Sequence, residues 1–360
     1  MTERQQNPFT TTFSKKPAKT YIEREELYEI LDTFSFDDPS ESVYKITGVR
    51  GSGKTVGLSI IEEEYRSKEN KEKGWLVYAL NPTRDMLLQL AASLSQEEFI
   101  KLSPKSKSIN FSINILGNGL GGGYSATKED SFFDIGIELK QLIEIAQDNK
   151  KKILLSVDDV SKTHPMIEFT HEFGTWLRAG FPVYLVCTGL YENIMELGNV
   201  KNLTFFRRAA TVQMHPMNRV RMVEMYKRKL NVKGDEARSL SDITNGYAYA
   251  FQQLGSLYFR KNKSNKIDEI LFELKTSLFS NIYEKIWDEL SENDKELLKL
   301  MVESRPYKRE EFKDILHERM TSFSVYRERL IKRGIITESG YGYISHALPY
   351  MDEYIKEYCI

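Results

Sequence analysis

The chain has 360 residues, of which 41% are apolar and 29% charged, and its formal net charge is −1. That length suffices for two or three domains with ample core, and the near-neutral balance excludes a protein that holds polyanions through its bulk field, so any nucleic-acid contact must come from local patches. Only two cysteines, Cys187 and Cys359, are present, which excludes a disulfide scaffold; Cys187 lies in the apolar run from Val183 and reads as a small buried hydrophobe in a reducing compartment. The first twenty residues carry Arg4, Lys15, Lys16 and Lys19 without an apolar stretch, and no run approaches the roughly 18 apolar residues of a membrane span. A cytoplasmic protein with no membrane segment is expected. His164, His171, His215, His317 and His346 show no ligand spacing with the cysteines, so no structural zinc is expected.

In chain order, residues 1–20, with Asn7-Pro8-Phe9-Thr10, are expected as an extended arm that leads to Tyr21-Ile22-Glu23-Arg24-Glu25 and a helix to about Thr33. An α/β core is expected over 21–205. Its first strand is the apolar-leaning run Val43, Tyr44, Lys45, Ile46, and directly after it residues 48–55 read Gly-Val-Arg-Gly-Ser-Gly-Lys-Thr, a full G-x-x-x-x-G-K-T phosphate loop. Gly48, Gly51 and Gly53 let the backbone take positive φ and approach oxyanions closely, so that consecutive N–H groups at a helix N-terminus face the phosphates. The loop residues Val49, Arg50, Ser52 and Val56 complete the expected ATP contact. Lys54 is expected on the β- and γ-phosphates and Thr55 on a Mg²⁺ ion.

A second strand is expected over Trp75 to Leu80 and a helix over Thr83 to Leu94, whose Met86, Leu87, Leu90 and Leu94 share one face. Residues 104–131 break the pattern. Alternating Phe111, Ile113, Ile115 and the glycine-rich run to Gly123 suggest a β-hairpin or a mobile insertion with a glycine turn; a second phosphate loop would need a Lys-Ser/Thr pair and a following amphipathic helix. Lys152 to Asp159 then read as a central strand covered on both faces and ending in two carboxylates. Asp158 is placed to join Thr55 in the Mg²⁺ shell and Asp159 to polarise the attacking water. Adjacent acids after a strand are also an ordinary solvated turn.

A helix over Met166 to Ala179 and a strand over Pro182 to Cys187 follow, ending in Thr188-Gly189. Thr188 either presents its hydroxyl to a γ-phosphate or belongs to a strand-exit turn. Phe205-Phe206-Arg207-Arg208 offers an apolar anchor and two fixed cations; Arg208 either reaches a γ-phosphate, in this subunit or a neighbour, or is a surface arginine. Residues 206–275 are expected as a small helical lid. From Arg207 to Lys233 eight cations face one acid, Glu224, on a helix with a core face, which is either a phosphate-binding surface or a solvated face.

Residues 276–360 read as a separate unit. Ser291 to Asp294 caps a helix, further helices are expected over about Lys308 to His317 and Ser324 to Lys332, and Gly334 to Ser345 alternates around a turn at 339–342. Three helices and a hairpin make a winged-helix arrangement, whose third helix would present Ser322, Ser324, Tyr326, Arg327, Arg329, Lys332 and Arg333 to double-stranded DNA. Residues 281–360 carry 13 Lys/Arg and 16 Asp/Glu, a balance that suits a protein-docking module equally well.

Taken together, Asn7-Pro8-Phe9, Ile22-Glu23-Arg24-Glu25, GVRGSGKT, ILLSVDD, the strand ending in Thr188-Gly189-Leu190, FFRRA, the TNGY-type lid helix and the C-terminal helix-hairpin resemble the AAA+ and STAND branch of P-loop ATPases. The chain is similar in particular to bacterial and archaeal ATPases related to the origin-recognition family. The resemblance implies an αβα core, a helical lid and a winged helix, with ATP gripped between core and lid and Ile22 and its neighbours lining the adenine pocket. Two departures stand out. Asp159 occupies the position where many AAA+ members have Glu, as in STAND members, and the lid helix from Gly246 has Tyr249 near the point where relatives place a sensing arginine. The expected function is an ATP- and Mg²⁺-dependent switch with slow hydrolysis that engages DNA through its winged helix. The alternatives are a STAND-type signalling or defence ATPase whose winged helix docks protein, with ATP-dependent self-association open, and a module that holds nucleotide without hydrolysing it.

Overall fold

The computed structural model describes residues 6–12, 17–105, 134–261, 267–303, 323–338, 340 and 343–360. The glycine-rich stretch from 106 to 131, the helix expected at Lys308 to His317, and Ser322 lie outside the described residues. The chain divides into two compact units, one of Glu29–Ile46 and Leu58–Val212, the other of Met1–Tyr28, Thr47–Gly57 and Gln213–Ile360. Sequence neighbours are thus separated and the phosphate loop is grouped with the C-terminal half.

The first unit is built on a five-stranded parallel sheet of β1 (Val43–Thr47), β2 (Trp75–Leu80), β3 (Lys152–Val157), β4 (Val183–Gly189) and β5 (Ala210–Gln213), in the order β2-β3-β4-β1-β5. Val77 pairs with Leu154 and Leu80 with Val157 between β2 and β3, while Leu155 pairs with Leu185 and Val157 with Cys187 between β3 and β4. A central parallel strand is covered on both faces, which is why β3 and β4 are apolar almost throughout rather than alternating. Ile153, Leu155, Val157, Val183, Leu185 and Cys187 share one core with Leu90, Leu142, Phe169, Phe173 and Trp176 from the helices Met86–Leu94, Ile135–Asp148 and His164–Arg178. The opposite face carries an aromatic cluster in which Trp75 lies 4.7 Å from Tyr65 and 5.0 Å from Tyr184, with Phe34 5.6 Å from Tyr44. Burying each large side chain of this kind contributes roughly 1.5–3 kcal/mol.

Caps set the helix starts. The helix expected from Thr83 begins at Met86, because the Asp85 carboxylate accepts the Leu88 N–H at 2.8 Å and Asn81 Oδ1 takes the Thr83 N–H at 2.9 Å. Asp134 caps Ile135–Asp148 by accepting from the N–H groups of Gly136 and Ile137. That helix, and Tyr191–Gly198 after β4, had no counterpart in the sequence reading.

The second unit contains the helices Arg219–Leu230, Gly234–Ile243, Ala248–Lys261 and Ile267–Leu278, whose apolar faces meet at Tyr226, Leu240, Phe251, Leu254 and Leu274. Asn218 caps the first, and Asn231 ends it in the left-handed conformation. Farther on, Ser291 and Asp294 form a reciprocal capping box for Glu292–Glu303, with the Asp294 N–H on Ser291 Oγ and the Ser291 N–H on Asp294 Oδ2, each at 3.3 Å. The helix Phe323–Arg333 leads into an antiparallel pair, β6 (Ile336–Glu338) and β7 (Ile344–His346), in which Ile336 faces His346. A final helix, Met351–Tyr358, follows. Among the described residues no helix is long and apolar enough to cross a membrane.

Candidate nucleotide site

The phosphate loop leaves β1 and turns into the helix Lys54–Tyr65. Its tightest point is Gly51, at φ +74°, where a β-carbon would overlap the Tyr247 hydroxyl, so both backbone and space demand glycine. The Ser52 N–H bonds to Val49 O at 3.1 Å, and the Gly57 N–H to Gly53 O at 2.9 Å closes the first helical turn. Lys54 folds back on its own loop, donating from Nζ to Gly48 O at 2.8 Å and to Val49 O at 3.1 Å. Ser52 is 6% exposed, and its buried Oγ has no hydrogen-bond partner among the described residues. A buried hydroxyl without a partner is costly, and a ligand that supplies an acceptor or donor removes the cost.

Beside the loop is a pocket walled by Tyr21 and Ile22, by Ser52, Gly53 and Val56, by Met214 and Met217, and by Ala248 and Gln252. Ile22 and Val56, both expected at a nucleotide, are brought together here with the loop. Arg24, part of the Ile22-Glu23-Arg24-Glu25 segment, also lines the pocket; it is buried, donates from Nη2 to His215 O, and its Nε has no acceptor among the described residues. Burial pulls the guanidinium below its usual range, and nearby Glu26 opposes that shift.

The start of the helix Ala248–Lys261 and the residue before it meet the loop at main-chain oxygens. Tyr247 Oη donates to Arg50 O at 2.5 Å and the Tyr249 N–H to Gly51 O at 3.1 Å. Arg50 itself forms a bidentate pair with Glu289, with Nε 3.0 Å from Oε1 and 3.1 Å from Oε2. The C-terminal module reaches the same loop: Val49 and Ser52 share a cleft with Ile331, Gly334, Ile336 and Leu348, and Asn245 Nδ2 donates to Ala347 O at 2.8 Å.

In the sheet unit, the acidic pair follows β3. The Thr188 hydroxyl donates to Asp158 Oδ1 and accepts the Asp159 N–H at 3.0 Å, and Asp159 stands at φ +55°. Thr188, Asp158 and Asp159 are therefore one hydrogen-bonded group. Arg208 is exposed at the end of the short helix Thr204–Arg208. Lys45, a residue that the sequence reading passed over, is buried in β1 and donates to Phe206 O at 2.9 Å and Arg207 O at 3.3 Å. Desolvation lowers its ammonium pKa, and a lysine inside an apolar strand was the available signal.

The cations expected on DNA are engaged within the C-terminal module. Arg327 pairs with Glu338, Arg329 with Asp294 at 2.6 Å, Lys332 with Glu328 at 2.6 Å, and Arg333 with Asp294 at 3.5 Å. Tyr326 Oη accepts from Asn293 at 2.7 Å, while Ser324 is exposed.

A sequence family described as Domain of unknown function (DUF8462) matches residues 280–355. No curated protein sequence matches the chain. Among solved structures, a Walker-type ATPase of Pyrococcus abyssi superposes with a TM-score of 0.58 at 13% identity, covering 94% of this chain and 97% of the other. The Aeropyrum pernix ORC2 protein, solved as ADPNP–ADP complexes, superposes with a TM-score of 0.53 at 12% identity, covering 92% of this chain and 90% of its own. The chain has the α/β fold of the AAA+ P-loop ATPases, the fold shared by the archaeal origin-recognition proteins.

Proposed function

We propose that the chain binds ATP with Mg²⁺ and hydrolyses it slowly, as a molecular switch. One observation carries the reading: a complete phosphate loop, with a buried and unpartnered Ser52 Oγ, borders a largely apolar pocket of the kind that takes a base. The glycine cradle fits a polyphosphate, and Lys54 would exchange its two loop carbonyls for phosphate oxygens. The Thr55 hydroxyl and the Asp158 carboxylate are the hard oxygen donors that Mg²⁺ selects, and the bound ion would neutralise charge on the phosphates. Asp159 polarises the attacking water, Thr188 holds the acidic pair, and Arg208 is the proposed cation for the γ-phosphate. Lys54→Ala should abolish binding of a fluorescent ATP analogue, and Asp159→Asn should keep binding while phosphate release falls to background. Undiminished analogue binding by Lys54→Ala would sink the proposal.

For the load on the switch, two readings are weighed. Engagement of duplex DNA through Ser324, Tyr326, Arg327, Arg329, Lys332 and Arg333 needs free cations, and the four cations of the Phe323–Arg333 helix are paired with carboxylates. Those pairings favour the second reading, in which the winged-helix module docks protein, including its own phosphate loop, and transmits nucleotide state. A mobility-shift titration at low and moderate salt, with and without ATP, separates them: binding whose affinity falls steeply with salt supports DNA, and ATP-dependent self-association without DNA binding supports docking.

A further inference from the structure

The short helix Thr204–Arg208 carries the cation proposed for the γ-phosphate, and its five residues are too few to hold a helical turn, or the direction of its arginines, unaided. Three anchors within the sheet unit fix it. Phe205 seats its ring in a notch left by Gly174 of the helix His164–Arg178, where a β-carbon would overlap it, and lies 6.3 Å from the Phe173 ring. Gly198, at the end of Tyr191–Gly198, packs on the Arg207 backbone, whose Cα would lie 3.4 Å from an added β-carbon. The third anchor is Lys45 of β1. It is 4% exposed, and its ammonium donates to Phe206 O at 2.9 Å and to Arg207 O at 3.3 Å while lying 5.4 Å from the centre of the Phe206 ring. The Ala209 N–H returns to Phe205 O at 2.9 Å, so the next two carbonyls are met by Lys45. A cation there also lies at the negative end of the helix. An apolar side chain would fill a buried position of β1 without the desolvation cost of an ammonium. What the lysine adds is its hold on the turn from which the exposed Arg208 projects.

We propose that Lys45 is a positioning residue for Arg208: from inside the sheet it fixes the end of the Thr204–Arg208 helix, and so the direction in which the Arg208 guanidinium leaves that helix toward a γ-phosphate. Lys45 touches no reacting atom and acts only through that arginine. The inference rests on the reading of Arg208 as the γ-phosphate cation. A cation in that role stabilises charge that develops in the transition state, so loss of its positioning lowers kcat and leaves KM nearly unchanged.

The test measures kcat and KM for phosphate release from ATP with Mg²⁺ in the full chain, in Lys45→Met, which keeps length and apolar bulk, in Arg208→Ala, and in the two combined. Lys45→Met is expected to lower kcat by about tenfold with KM within about twofold. Lys45→Arg should recover most of the loss, and the double variant should be no slower than Arg208→Ala alone. Should Lys45→Met fail to fold by circular dichroism, Lys45→Gln, which keeps a donor, takes its place, with an expected loss of about threefold and the same cancellation. An unchanged kcat, a loss confined to KM, or a loss of full size in the Arg208→Ala background overturns the assignment. If Arg208→Ala is as fast as the unaltered chain, the reading of Arg208 falls and the assignment with it. If the unaltered chain releases no phosphate, the ATPase reading itself falls and takes both with it.

Discussion

The hydroxyl of Thr188, fully buried at the end of β4, donates to the Asp158 carboxylate and accepts the main-chain N–H of Asp159. The Thr188 carbonyl takes the Val160 N–H at 2.8 Å, so one residue fixes the turn after β3 at three successive positions. This matters because Asp159 lies at φ +55°, and a non-glycine residue there costs of order 1–3 kcal/mol and persists only where its surroundings over-determine it. The hydroxyl holds the acids in place rather than standing idle in a strand exit. Thr188→Val, which keeps the shape and removes the bonds, is expected to lower the phosphate-release rate by about ten- to a hundredfold, since a hydrogen bond to a charged group is worth about 1.5–3 kcal/mol. Thr188→Ser should restore most of it. A raised Mg²⁺ requirement in the valine variant distinguishes misplacement of Asp158 from simple destabilisation.

The contact of Tyr247 with the Arg50 carbonyl ties the loop conformation to the start of the helix Ala248–Lys261. Burial of the Tyr247 ring pushes its hydroxyl well above the ordinary tyrosine range, so it stays a donor at every pH at which the protein is handled. Tyr247→Phe is expected to cost about 1 kcal/mol in chemical denaturation and to loosen hydrogen exchange at residues 50–53. Gly51→Ala should be far worse. It combines positive φ with overlap on Tyr247, and loss of analogue binding in a chain that keeps its circular dichroism is the expected result.

Much of this was legible from local chemistry. The phosphate loop, β2, the acidic end of β3 and the Ser291–Asp294 cap each follow from residues adjacent in sequence, and the structure places all of them where the pattern puts them. What was hidden depends on partners far along the chain. Nothing local marks Gly255 as a notch for Phe9, or Tyr247 as a partner of Arg50, because those contacts span more than a hundred residues. The recognition-helix expectation shows the same limit: Arg329 and Arg333 look free on a helical wheel, and Asp294, a cap in sequence terms, turns out to bind both.

Cys187 offers a pH test. Full burial raises its thiol pKa to about 12, with the Lys45 ammonium opposing the shift. A thiol raised in the folded state stays protonated while the unfolded chain ionises near 9, so its contribution is intact below that point and is lost as pH rises through the interval up to about 12. The slope is about 1.4 kcal/mol per pH unit for one group. Denaturation midpoints measured between pH 8 and 10.5 should therefore fall less steeply for Cys187→Ala than for the unaltered chain, and parallel curves would remove Cys187 from the alkaline response.

Asp294 ties the C-terminal module together and bears directly on its function. It is 1% exposed and meets Arg329 at 2.6 Å, Arg333 at 3.5 Å and Ser291 Oγ at 2.8 Å. Removing one member of such a buried group leaves cations unpaired at a cost of about 3–5 kcal/mol, so Asp294→Ala is expected to lower the module's stability by that amount in urea titration. Asp294→Asn keeps the shape and the cap while releasing the charge that holds both arginines. If the module's contacts serve docking alone, the asparagine variant gains no salt-sensitive affinity for duplex DNA. If the arginines are a held-back DNA surface, the same variant binds duplex more tightly than the unaltered chain at low salt, with a steeper dependence on salt concentration because more phosphates are neutralised. The sign of that one comparison decides between the two proposed readings.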